Sequence, residues 1–129
     1  MKPTILSAGL ILRKILMQSP DVTAITREIY PVVKNEARLP CVFYARESLT
    51  EGAVKGVTGP RAGHYVFACA AASYAESVAL AEAVCAALNG ATISDEETGL
   101  TMRGCHLIDA DESGEPDAFV QALTFLVRV

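Results

Sequence analysis

Apolar and polar positions are ordered most clearly between Arg61 and Gly90. From His64 to Ala72 the chain reads His-Tyr-Val-Phe-Ala-Cys-Ala-Ala-Ala, apolar on both alternating faces. Such a run predicts a strand covered on both sides. Ser73-Tyr74-Ala75-Glu76 follows as a capping box: the Ser73 hydroxyl can accept a free N–H of the helix start, and Glu76 can reach back. Val78, Ala81, Cys85 and Leu88 recur at helical spacing. Asn89-Gly90 supplies the residues best suited to a left-handed helix end. The small residues Ala68 to Ala72 would let a helix lie close on the sheet.

The flanks have their own patterns. Thr4 to Gln18 carries one helical stripe of Ile5, Ala8, Leu12, Ile15 and Leu16, and a second of Leu6, Leu10 and Met17. A helix apolar on two sides needs two partners, its own sheet and a second surface such as a neighbouring subunit. Ser19-Pro20-Asp21 is an N-cap with proline at the first helical position, opening a short helical turn through Ile25 to Arg27. Ile29-Tyr30-Pro31 predicts a short strand, Lys34 to Arg38 a polar connection, and Cys41 to Leu49 a second strand with Pro40 at its edge. Thr50 to Gly63 carries four glycines and Pro60, and reads as a long loop. After the central helix, Ala91 to Glu97 predicts a strand, Thr98-Gly99 a turn, and Leu100 to Asp109 the return. Asp111 to Pro116 reads as a polar turn and Phe119 to Val129 as the last strand, with Phe119, Leu123, Phe125, Val127 and Val129 mostly on one face. The whole predicts one α+β domain over residues 1–129: a single, mostly antiparallel (mixed) sheet with the N-terminal and central helices on one face. The strands flanking the central helix are candidates for a parallel crossover pair.

Composition sharpens this picture. Hydrophobic residues make up 51% of the 129 residues and charged ones only 20%, enough apolar material for a full core. Mean hydropathy is +0.31, which points to apolar surface buried between subunits. A net charge of −4 without a basic stripe argues against general nucleic-acid binding. No apolar run is long enough to span a bilayer, and Met1-Lys2-Pro3 is a poor start for a secretory signal, so the expected setting is the cytosol.

Candidate chemistry adds little. Cys41, Cys69, Cys85 and Cys105 are widely spaced, form no C-x-x-C, and combine with neither His64 nor His106 into a zinc pattern; they read as buried thiols. Gly56-Val57-Thr58-Gly59-Pro60-Arg61 lacks the Lys-Ser/Thr ending of a phosphate loop and precedes a strand rather than a helix. A partner-contacting loop with Lys55 and Arg61 as its charged tips is the better reading. Asp109, Asp111, Ser113 and Gly114 open like a calcium loop, but position twelve is Val120; they read as a solvated acidic hairpin. No catalytic constellation, metal set or cofactor motif emerges. An enzyme reading would need Cys69 or Cys105 to meet a histidine in space.

In the order and spacing of these pieces the chain resembles the tail-completion proteins of tailed bacteriophages, which include tail terminators and head–tail joining subunits. The resemblance runs from the apolar N-terminal helix through Ile29-Tyr30-Pro31 and Leu39-Pro40-Cys41-Val42. It continues through the glycine-rich connection, then Ser73-Tyr74-Ala75-Glu76 to Leu88-Asn89-Gly90, and ends in strand hairpins. The acidic stretch Asp111 to Glu115 has no counterpart in that pattern. The resemblance implies a structural, non-enzymatic protein that needs no cofactor. It implies a homo-oligomeric ring, often a hexamer, at the head-proximal end of the tail, in contact with the tail-tube and head-connector proteins. The protein would be made in the bacterial cytoplasm, most simply from a prophage, and end in the virion tail, with no nucleic-acid specificity or membrane contact. Leu6, Leu10 and Met17 are then the candidate inter-subunit residues, and Lys55, Gly56, Gly59 and Arg61 the candidate inter-ring loop. The competing reading is a small dimeric metabolite-binding or regulatory α+β module, which predicts a dimer with a polar pocket.

Overall fold

The computed structural model describes residues 3–32, 38–50 and 61–129. Hydroxyl caps set the first boundaries. Thr4 accepts the N–H of Leu6 and opens a single 3-10 turn, Ile5–Ser7, which runs into helix α1, Ala8–Gln18. Ser19 ends α1 by donating its N–H to the Leu16 carbonyl, and opens α2, Pro20–Ile25, by accepting from Val22 N. Strands β1 (Ile29–Pro31), β2 (Cys41–Thr50) and β3 (Ala62–Ala71) follow. Ser73 Oγ then accepts the Glu76 N–H at 3.2 Å and starts α3, Tyr74–Leu88. Past its end Gly90 takes φ +81°, and the Asn89 side chain accepts the N–H of Leu107. The chain finishes with β4 (Ile93–Asp95), β5 (Leu100–Met102), β6 (Gly104–Glu115) and β7 (Ala118–Arg128).

The fold is α+β. Five strands form a sheet in the order β1-β2-β3-β7-β6, and β4 and β5 form a separate two-stranded sheet. β1 runs parallel to β2 and every other pairing in the main sheet is antiparallel. The parallel pair is therefore not the one flanking α3, as the sequence had suggested: β3 pairs with β2 and β7, and β4 pairs with β5. The expected long return strand from Leu100 is broken at Arg103 into β5 and β6. The expected polar turn Asp111 to Pro116 is mostly strand, since β6 stays in register with β7 as far as Glu115 opposite Ala118.

The helices pack on one face of the main sheet, which presents Tyr44, Tyr65, Phe67, Cys69, Leu123, Phe125 and Val127 to them. The Tyr44 and Phe67 rings stack at 5.4 Å, and Phe125 meets Phe67 edge-on at 5.7 Å. From α1 come Ala8, Ile11, Leu12 and Leu16. From α3 the buried residues are Ser77, Leu80, Ala81, Val84 and Leu88; Val78 and Cys85, expected in the stripe, are only half-buried. An alanine-rich helix that is apolar nearly all round gives a weak directional signal, and the true stripe lies one position to the side. Gly63 lets the N-terminal turn close on β3, because a Cβ there would stand 3.0 Å from the Ser48 carbonyl oxygen and 3.2 Å from Ile5 Cγ1. Tyr65 fixes the same turn from below, donating its hydroxyl to the Ile5 carbonyl at 2.8 Å.

Candidate assembly surfaces

Three surfaces stand out, and each follows from where the fold leaves apolar or charged side chains without a covering layer. The first is the outward side of the N-terminal turn and α1. Leu6 and Leu10, one helical turn apart, are 54% and 61% exposed. Met17, the third residue of that stripe, is half-buried against the core.

The second surface is the sheet face opposite the helices. Its rows are Phe43 and Ala45 on β2; Ala62, His64, Val66, Ala68 and Ala70 on β3; and Val120, Ala122, Thr124 and Leu126 on β7. Most of these residues are half-buried by one another, and no described helix packs on them. The sequence had predicted cover on both sides of β3. Among the described residues, cover exists on one side only, and the second side is apolar. His64 sits on this face with Nδ1 at 3.0 Å from Ser48 Oγ on β2.

The third surface is the far half of the β6–β7 hairpin. The ladder shifts register at Ile108, which is half-exposed, and beyond it Asp109 to Asp117 is solvent-exposed throughout. Tyr74 at the start of α3 braces it. Its hydroxyl donates to Glu112 Oε2 at 2.7 Å, its ring meets Phe119 edge-on, and Gln121 donates to the same carboxylate oxygen at 3.2 Å. The Tyr74 and Gln121 donors hold the Glu112 carboxyl below its ordinary range.

Of the candidate loop residues, Lys55, Gly56 and Gly59 lie outside the described residues. Arg61 immediately precedes β3 and lines a shallow depression of about 360 Å³ together with Pro3, Gly99, Leu100, Thr101, Arg103 and Val129. Sequence order hides the closeness of Arg61 to Arg103, which only sheet register creates.

The thiols and histidines do not combine into a reactive pair. Cys69 and Cys105 point into the core, whereas His64 and His106 belong to the opposite face. Burial pushes the Cys69 and Cys105 thiols up to about 12, far from the thiolate a nucleophile requires. All four cysteines are free thiols, with Cys85 the one only half-buried. Among the described residues no cluster of His, Cys, Asp and Glu could hold a metal ion, and no helix is long and apolar enough to cross a membrane.

Comparison with known proteins bears on the fold. A chain from a structure of the virion of a native gene transfer agent particle superposes on this one with a TM-score of 0.67, covering 92% of this chain and 90% of that one. The two share 20% sequence identity, so what the match shows is a common fold over nearly the full length of both. No family model matches the chain, and no curated protein matches it.

Proposed function

We propose that this protein is a structural subunit of a phage-like particle, a tail-completion or head–tail joining protein that assembles as a homo-oligomeric ring at the head-proximal end of the tail. The observation that carries the reading is the fold shared over nearly the full length with a chain found in a gene transfer agent virion. The surfaces agree with it. A monomer with an apolar second sheet face and two exposed leucines, one on the N-terminal turn and one on α1, has material for a heterologous interface, the kind that closes into rings. The ring's neighbours in this reading are the tail-tube and head-connector proteins. The proposed role is structural and non-enzymatic.

Two measurements test this. In solution, light scattering and negative stain should find rings; six copies of 13.7 kDa give about 82 kDa. In the cell, the protein should copurify with phage-like particles, and deleting it should leave heads and tails unjoined. Its absence from purified particles, with normal joining after deletion, would sink the proposal. A strict dimer at every concentration would favour the small binding-module reading instead.

A further inference from the structure

The β6–β7 hairpin carries opposite charge at its two ends. At the far end, Asp109, Asp111, Glu112, Glu115 and Asp117 fall within nine residues that include no Lys or Arg. At the near end three arginines converge. The Arg103 N–H donates to the Arg128 carbonyl at 2.8 Å, and the Val129 N–H donates to the Arg61 carbonyl at 2.9 Å, so adjoining backbone bonds tie the three positions together. Arg61 and Arg103 both line the 360 Å³ depression, and no acidic residue lines it with them. Arg128 stands beside it on the outer row, in register with Ala62 and Gly104. Among the described residues, none of these arginines and none of Asp109, Asp111, Glu115 and Asp117 has an ion-pair partner.

The two ends cannot satisfy each other within one molecule. β6 runs from Gly104, opposite Arg128, to Glu115, opposite Ala118, and that length of ladder spans roughly 35 Å. That is several screening lengths at physiological salt. Complementary charges on opposite ends of a rigid hairpin point to a contact between copies. We infer that the acidic end of the hairpin, Glu115 and Asp117 foremost, docks on the Arg61–Arg103 depression of a second copy of this chain.

The contact is heterologous: each copy offers its tip to one neighbour and its arginines to another, so the geometry closes in a ring or propagates as a fibre. Guanidinium groups suit it because their planar donor fork matches a carboxylate. Electrostatic complementarity of this kind sets register and partner choice, while the apolar sheet face supplies the bulk of the burial. The inference rests on the self-association in the proposed function, but not on the place of the assembly in a virion.

Charge exchange tests it. One variant reverses the depression (Arg61→Glu with Arg103→Glu) and another reverses the tip (Glu115→Lys with Asp117→Lys). Circular dichroism and thermal melting verify that each folds, and sedimentation or light scattering reads the assembly. Wild-type protein should associate, more weakly at high than at low salt. Each variant alone should associate at least about tenfold more weakly. An equimolar mixture should recover wild-type association, because every tip then meets an opposite charge and the two variants alternate. Three results would overturn the contact: wild type that stays monomeric at every concentration and low salt, reversed variants that assemble like wild type, or a mixture that fails to recover. Copurification with particles alongside a failed exchange would leave the functional proposal standing and remove only this contact.

Discussion

Neighbouring residues of β3 belong to two different surfaces. Tyr65, Phe67 and Cys69 face the helices and are almost fully buried, while His64, Val66 and Ala68, one position away each, face outward and stay half-exposed. The inward row is bulky and locked: Phe67 lies between the rings of Tyr44 and Phe125, and Tyr65 holds the N-terminal turn by a buried hydrogen bond. The outward row is apolar but small. A strand with one solvated face normally alternates apolar with polar residues. This strand does not, and the departure leaves an apolar outer face on which no described helix packs.

The sharpest break of the comparison is to truncate adjacent residues on the two faces. Phe67→Ala should cost about 3–5 kcal/mol, from lost burial and a cavity between two aromatic neighbours. Val66→Ala should cost about 1 kcal/mol in the monomer, since Val66 is only partly buried and no described helix packs on it. Urea denaturation of both variants below the concentration at which copies associate would show it. Equal losses would mean that the outer face is as structural as the inner one.

A smaller effect tests how the N-terminal turn is seated on the inward face. Gly63→Ala should destabilise by about 1–3 kcal/mol, because its Cβ would meet the Ser48 carbonyl oxygen, a backbone atom that cannot swing away. Tyr65→Phe should cost about 0.5–1.5 kcal/mol, because it removes one of two donors to the Ile5 carbonyl, which keeps the Ala8 N–H. Both remove the seat of the same turn, so the double variant should lose less than the two single losses added together. Full additivity, read from the same denaturation curves, would show that the two residues act independently.

Much of this architecture was readable because local chemistry marks it. Ser19-Pro20 and Ser73-x-x-Glu76 announce helix starts by the N–H groups they can satisfy, and both helices begin there. The second stripe of α1 foretold the exposure of Leu6 and Leu10, though Met17 turned partly inward. Other features were hidden for physical reasons. Asp111 to Pro116 reads as a turn because its side chains are polar, yet strand pairing is backbone bonding and continues to the Glu115–Ala118 pair beyond the helix layer. The double apolar alternation of β3 says that both faces want cover, but not whether the same chain provides it. The grouping of Arg61, Arg103 and Arg128 depends on long-range register, which no local pattern encodes.

The gentlest test concerns how the small β4–β5 sheet is tied to α1, away from either face of the main sheet. Lys14 on α1 reaches Asp95 at 3.2 Å and also pairs with Glu97. Asp95 is held below its ordinary 3.8, first by the Thr98 hydroxyl at 2.7 Å, then by the Thr98 N–H at 2.9 Å, and then by Lys14. A carboxyl lowered by folding contributes stability that is complete above its unfolded pKa and is lost as pH falls through the folded one. Lys14, raised above 10.5 chiefly by Glu97, contributes in the opposite sense: its share is complete below 10.5 and is lost as pH rises through the folded value. Asp95→Asn should therefore lower the melting temperature at neutral pH, and its difference from wild type should shrink as pH drops below the ordinary Asp range. Some acid dependence should remain in the variant, because Glu112 is lowered as well. The expected shift is smaller than that of Gly63→Ala, since Lys14 is partly exposed and Glu97 largely so, and solvent screens their charges. A difference that stayed constant down to pH 2 would mean that the Asp95 carboxylate charge contributes nothing, and that β4–β5 is held to α1 by packing alone.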